Sequence, residues 1–79
     1  MVTSESIKQN IEQGMTHTHL TVSGDGTHFE AVVVSEEFAG KSRIQRHQRV
    51  YLTLGDRMRN EIHALSMKTY TPQEWENNR

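Results

Sequence analysis

Seventy-nine residues allow one domain, 1–79, with a thin core, and the absence of cysteine excludes a disulfide, a thiolate metal site and a cysteine nucleophile. No apolar run approaches the ~20 residues that span a bilayer, and the N-terminal residues lack a signal-peptide pattern; a soluble cytoplasmic protein is the expectation, and the lack of Cys fits a reducing compartment. The net charge of −1 argues against a strongly basic nucleic-acid binder, but the charge is segregated: Lys41, Arg43, Arg46, Arg49, Arg57 and Arg59 face only Asp56 between residues 41 and 59, a local charge of +5.

In chain order, Ser4 to Gln13 reads as a first helix, with Thr3 or Ser4 as cap, Ile7 and Ile11 on one face, and Gly14 as a left-handed stop. Thr18 to Ser23 alternates as a strand does. Gly24-Asp25-Gly26-Thr27 is a turn signal, and His28 to Val34 follows as the second arm of a hairpin. The run Ala31-Val32-Val33-Val34 is apolar on both faces, which predicts a central strand. Ser35 to Gly40 reads as a turn or a single helical turn anchored by Phe38.

Ser42 is the expected cap of the main helix, in which Ile44, His47, Tyr51, Leu54 and Met58 form an amphipathic stripe. Gly55-Asp56 predicts a kink or a second short helix from Asp56 to about Asn60. Ile62 to Tyr70 alternates again as a strand. Thr71, Pro72 and Glu74 then have the spacing of a capping box with proline at the first helical position, and Trp75 is expected to plug the core.

The order is α-β-β-α-(α)-β-α. A right-handed crossover sets the third strand parallel to the second, while the hairpin makes the first two antiparallel. The prediction is a two-layer α+β domain, with helices on one face of a three-stranded mixed sheet in the order one-two-three.

No catalytic constellation appears at useful spacing, and Gly40-Lys41-Ser42 lacks the upstream glycine of a phosphate loop, so no enzyme is expected. Histidine is the remaining clue. His47 sits inside the helical stripe and reads as a buried, hydrogen-bonded core residue. His17 and His19 share a strand face and could chelate a metal, but read first as an exposed pair. His28 flanks the hairpin turn and His63 opens the last strand, so the predicted strands can bring both to one side of the sheet. Neutral imidazole binds transition metals, including iron in clusters where histidine replaces cysteine. Two ligands cannot close a four-ligand site, so a metal here requires a partner to supply the rest.

Two blocks carry a family resemblance. Phe38-x-Gly40-x-Ser42-Arg43-Ile44-x-Arg46-His47-x-x-Val50-Tyr51, followed by Ile62-His63-Ala64-Leu65-Ser66-Met67-Lys68-Thr69-Tyr70-Thr71-Pro72-x-Glu74-Trp75, closely resembles the BolA-like family. The hairpin Val22 to Phe29 is most similar to its IbaG branch. The resemblance runs from about Leu20 to Trp75 and implies a fold related to the type II KH domain. It also implies partnership with a monothiol glutaredoxin, with which such proteins share a [2Fe–2S] cluster ligated also by glutathione. His63 corresponds to the family's ligating histidine. His28 is the candidate second ligand, in the loop region that supplies a Cys or His. Some members are linked to transcriptional control of stress or cell-shape responses, which maps DNA contact onto Lys41, Arg43, Arg46 and Arg49.

Two functions follow as expectations. One is a non-enzymatic partner of a monothiol glutaredoxin in iron–sulfur cluster assembly, trafficking or iron sensing. Its cluster is held between two proteins, none is expected in the isolated chain, and the free form is a monomer or weak homodimer. The alternative is a nucleic-acid-binding regulator that uses the basic helix.

Overall fold

The computed structural model describes residues 2–61 and 64–78, with side chains described through residue 56 and again from residue 64. In chain order the elements are α1 (Ser4–Gly14), β1 (His19–Gly24), β2 (His28–Val34), a 3₁₀ turn (Glu36–Phe38), α2 (Arg43–Glu61), β3 (Ala64–Tyr70) and α3 (Pro72–Asn77). The sheet order is β1-β2-β3, with β1 antiparallel and β3 parallel to the central β2, as the hairpin and crossover arguments require. The expected last strand reached back to Ile62 and His63, which lie outside the described residues.

The alternation of the strands builds the core. Leu20 pairs with Val33, and Phe29 and Ala31 pair with Leu65 and Met67, so these residues share the face covered by α1 and α2. Ile7 and Ile11 of α1 and Val50 and Leu54 of α2 complete the cluster, with Phe38 fully buried among them. The apolar burial is the main favourable term in so small a fold. Val34 is also buried, although it faces the other way. Its register neighbours His19 and Tyr70 both meet Trp75, whose ring stacks on His19 at 4.7 Å and tilts against Tyr70 at 5.4 Å. Trp75 is therefore half-buried on the outer face of the sheet rather than a plug in the main core, because α3 leaves β3 at the end of the sheet.

Polar contacts fix the helix ends. Thr3 caps α1 in a reciprocal arrangement with Ser6. The Ser42 Oγ accepts from the Gln45 N–H while Gln45 Oε1 accepts from the Ser42 N–H, and Thr71 with Glu74 forms the predicted capping box. Gly14 does not adopt the left-handed stop expected of it. It ends α1 in ordinary helical conformation, and Met15 follows in extended backbone. Glycine is needed there for another reason: a Cβ would stand 2.7 Å from Thr53 Cβ, so α1 and α2 approach more closely than any side chain allows.

The stripe on α2 is rotated from the one expected. Ile44 is 70% exposed, Tyr51 is half-buried, and Val50 and Leu54 carry the contact with the core. Met58 lies beyond the described side chains. His47 is half-buried and its ring has no hydrogen bond among the described residues, which corrects its reading as a satisfied core histidine. Burial, followed by the nearby Arg43 charge, holds its imidazole below the ordinary histidine pKa. The cause of the rotation is Arg46. Its side chain is 14% exposed and lies over the Phe38 ring at 5.8 Å. Its guanidinium donates to Glu74 at 2.7 and 3.2 Å, to the Lys41 carbonyl at 3.0 Å and to the Thr69 carbonyl at 3.4 Å. A cation so engaged takes the inward position that hydropathy alone would give to Ile44.

A second charged junction ties the other end. Glu37 accepts from Arg49 Nε at 2.9 Å and from the Thr16 N–H and hydroxyl at 2.8 and 3.0 Å, while Arg49 also donates to the Gly14 carbonyl. The Thr16 N–H is the first cause holding the Glu37 carboxyl below its usual range.

Two expectations follow from the fold. Gly55 interrupts α2 at φ 71° and ψ 167°, a region almost closed to other residues, with open space around it. Gly55→Ala should therefore lower stability by about 1–3 kcal/mol through backbone strain alone, read from urea unfolding; an unchanged midpoint would contradict the kink. Glu74 is lowered from 4.5 to about 2, first by its hydrogen bond from Arg46 and then by the Thr71 N–H. A carboxyl depressed on folding stabilises fully above its unfolded value and less as pH falls through the folded one. Glu74→Gln should accordingly flatten the loss of stability between pH 4.5 and about 2, measured by unfolding at a series of pH values.

Candidate functional site

The hairpin turn delivers His28. Asp25 Oδ1 accepts the N–H groups of Thr27 and His28, both at 2.9 Å, and Gly26 supplies the positive φ of 97° that the turn requires. The same two N–H groups, His28 first, lower the Asp25 carboxyl from its usual pKa. His28 emerges exposed as the first residue of β2. The parallel register then sets His28 opposite Ala64, the residue that follows His63 in the chain. His63 itself lies outside the described residues.

The donor set can be tested against a metal. Among the described residues no three His, Cys, Asp or Glu side chains converge to hold an ion. An exposed imidazole at the start of β2 fits half of a site that a partner completes, and does not fit a closed metal centre within the described residues. The expected exposed pair of His17 and His19 is corrected: both are half-buried, the His17 ring lying 3.5 Å from the Met15 carbonyl ahead of β1 and His19 stacked on Trp75.

The basic segment divides into two classes. Arg46 and Arg49 are ion-paired with Glu74 and Glu37 and hold elements together. Lys41 and Arg43 stand exposed at the start of α2 without an ion pair among the described residues. Arg57 and Arg59 lie beyond the described side chains. Lys41, Arg43, Arg46 and His47 form one wall of an open cleft, with β3 residues 67–70 as its floor and Glu74 and Asn78 of the α3 end as the far wall. Sequence reasoning missed Lys68 here. Its place on the exposed face of the last strand was legible from the alternation, but its nearness to the helix start depends on how α2 crosses β3.

The chain matches the family model described as BolA-like protein over residues 1–74. It is 39% identical to the acid stress protein IbaG of Escherichia coli strain K12 over 96% of this chain and 92% of that protein. It is 48% identical to the DNA-binding transcriptional regulator BolA of Vibrio cholerae over 73% of this chain, but spans only 55% of that protein's length. The solved structure of a bolA protein homologue from Coxiella burnetii superposes with a TM-score of 0.82 at 51% identity, covering 96% of this chain and 99% of that one. With two conserved-length relatives in IbaG and the Coxiella homologue, and with the strand order and register described above, the chain belongs to the BolA-like family.

Proposed function

We propose that this chain is a non-enzymatic partner of a monothiol glutaredoxin and shares a [2Fe–2S] cluster with it, in cluster assembly, trafficking or iron sensing. The observation that carries this reading is the β2–β3 register, which sets exposed His28 opposite the residue following His63. His63 immediately precedes β3 in the chain, beside the β2 end that carries His28, and its role as a ligand comes from the family block. The glutaredoxin cysteine and a glutathione thiolate supply the sulfur ligands to the other iron. When bound, a cluster with imidazole in place of thiolate carries less negative charge and has a higher potential. On this chain's side the task is to present neutral imidazole, and the short Asp25 turn supports that by pinning the His28 backbone.

A second reading, a DNA-binding regulator, is favoured by exposed Lys41 and Arg43 and by the name of the Vibrio cholerae relative. The ion pairs of Arg46 and Arg49 leave it fewer cations than the sequence offered.

The cluster reading is tested in the complex with a monothiol glutaredoxin and glutathione. His63→Ala should leave far-UV circular dichroism intact while the visible circular dichroism of the cluster is lost or altered, and His28→Ala should have an equal or smaller effect. Acid should hasten cluster release in the wild type, since a freed ring protonates. A wild-type spectrum and lifetime for His63→Ala would remove the site assignment. For DNA, Lys41→Gln with Arg43→Gln should weaken binding to all sequences and lower the salt slope by roughly one per cation removed. No binding by the wild type at low salt would leave that reading without support.

A further inference from the structure

β3 is an edge strand: β2 is its sheet partner, and its other side faces the cleft. Two hydrogen bonds fix which groups point outward. The Tyr70 carbonyl accepts from the Ser35 N–H on the β2 side at 2.9 Å, whereas the Thr69 carbonyl accepts from Arg46 on the outer side at 3.4 Å. Backbone groups alternate along a strand, so Met67 turns both its N–H and its C=O outward, and the Thr69 N–H points the same way. Met67, whose side chain is buried in the core, and Thr69 line the open cleft on this side, between the start of α2 and α3. Such an edge is a template for another strand unless it is covered or blunted.

The surroundings define what it accepts. Lys41, Arg43 and Lys68 border the cleft and have no ion pair among the described residues. The carboxylate within it, Glu74, is engaged by Arg46 and by the Thr71 N–H. The cleft therefore presents uncompensated positive charge around a ladder of alternating backbone donors and acceptors. A phosphate backbone offers only acceptors and leaves the Met67 carbonyl unanswered, whereas a peptide backbone answers both.

From this juxtaposition we infer that the outer edge of β3 is a docking site for an extended acidic peptide segment of a partner protein, which adds as a fourth strand at Met67 and Thr69 with its carboxylates on Lys41, Arg43 and Lys68. The site lies on the opposite side of β3 from His28 and is independent of the cluster reading.

The test uses the isolated chain and a fluorescein-labelled peptide of about eight residues, alternating Glu and Thr, which favours extended backbone. The peptide should bind, and at saturation the Met67 and Thr69 amides should exchange their hydrogens about tenfold more slowly or more. The same peptide N-methylated throughout should bind at least about tenfold more weakly. The triple variant Lys41→Gln, Arg43→Gln, Lys68→Gln should also lose affinity, while its unfolding midpoint stays near that of the wild type because all three side chains are exposed. The inference is overturned if the peptide fails to bind, if N-methylation makes no difference, or if an oligothymidylate of about ten nucleotides is preferred; the last result would assign the cleft to nucleic acid instead.

Discussion

Parallel pairing between β2 and β3 decides which atoms of this chain meet. The pair is closed at one end by Ser35, whose N–H reaches the Tyr70 carbonyl while its buried hydroxyl accepts from the Glu37 N–H. From that closure the register runs back, residue by residue, to His28 opposite Ala64. A slip of one residue would turn Phe29, Ala31 and Val33 away from α1 and α2 and bring charged Glu30 inward, so core burial enforces the register. The same constraint that holds the core therefore sets where His28 stands beside β3 and decides which backbone groups of β3 face outward.

Much of this was legible because local signals agreed with one another. Asp25-Gly26 named the hairpin, the apolar run at residues 31–34 named the central strand, and Thr71-Pro72-x-Glu74 named the last helix start. The errors share one cause: the interactions that decided them are distant in sequence. Ile44 looked apolar and inward, but Arg46 outcompeted it through Glu74, 28 residues away. Gly14 looked like a helix stop, but the constraint on it comes from Thr53. His47 looked like core because it shared the stripe with Ile44, and it lost that environment when the stripe rotated. Of the candidate ligands, the position of His28 was legible from the turn, whereas His63 lies outside the described residues and its assignment rests on the family block.

The basic segment illustrates how composition can mislead about function. Its cations are close in sequence, yet of the four whose side chains are described two hold the fold and two remain exposed to solvent. Arg46 and Arg49 are hydrogen-bonded to main-chain carbonyls as well as to carboxylates, so removing either leaves acceptors unpaired as well as a charge unbalanced. A loss of binding after their substitution would carry a contribution from structure. Lys41 and Arg43 are free of that ambiguity.

The stack of Trp75 on His19 has an optical consequence. Trp75 is the sole indole in the chain and belongs to the C-terminal helix, whereas the imidazole it touches belongs to the first strand, on the far edge of the sheet. An imidazole in van der Waals contact quenches indole fluorescence, and more strongly once protonated. Native emission should therefore be quenched, and it should brighten if the C-terminal helix lifts from the sheet while the main core stays intact. The protein carries its own label for the docking of its last element.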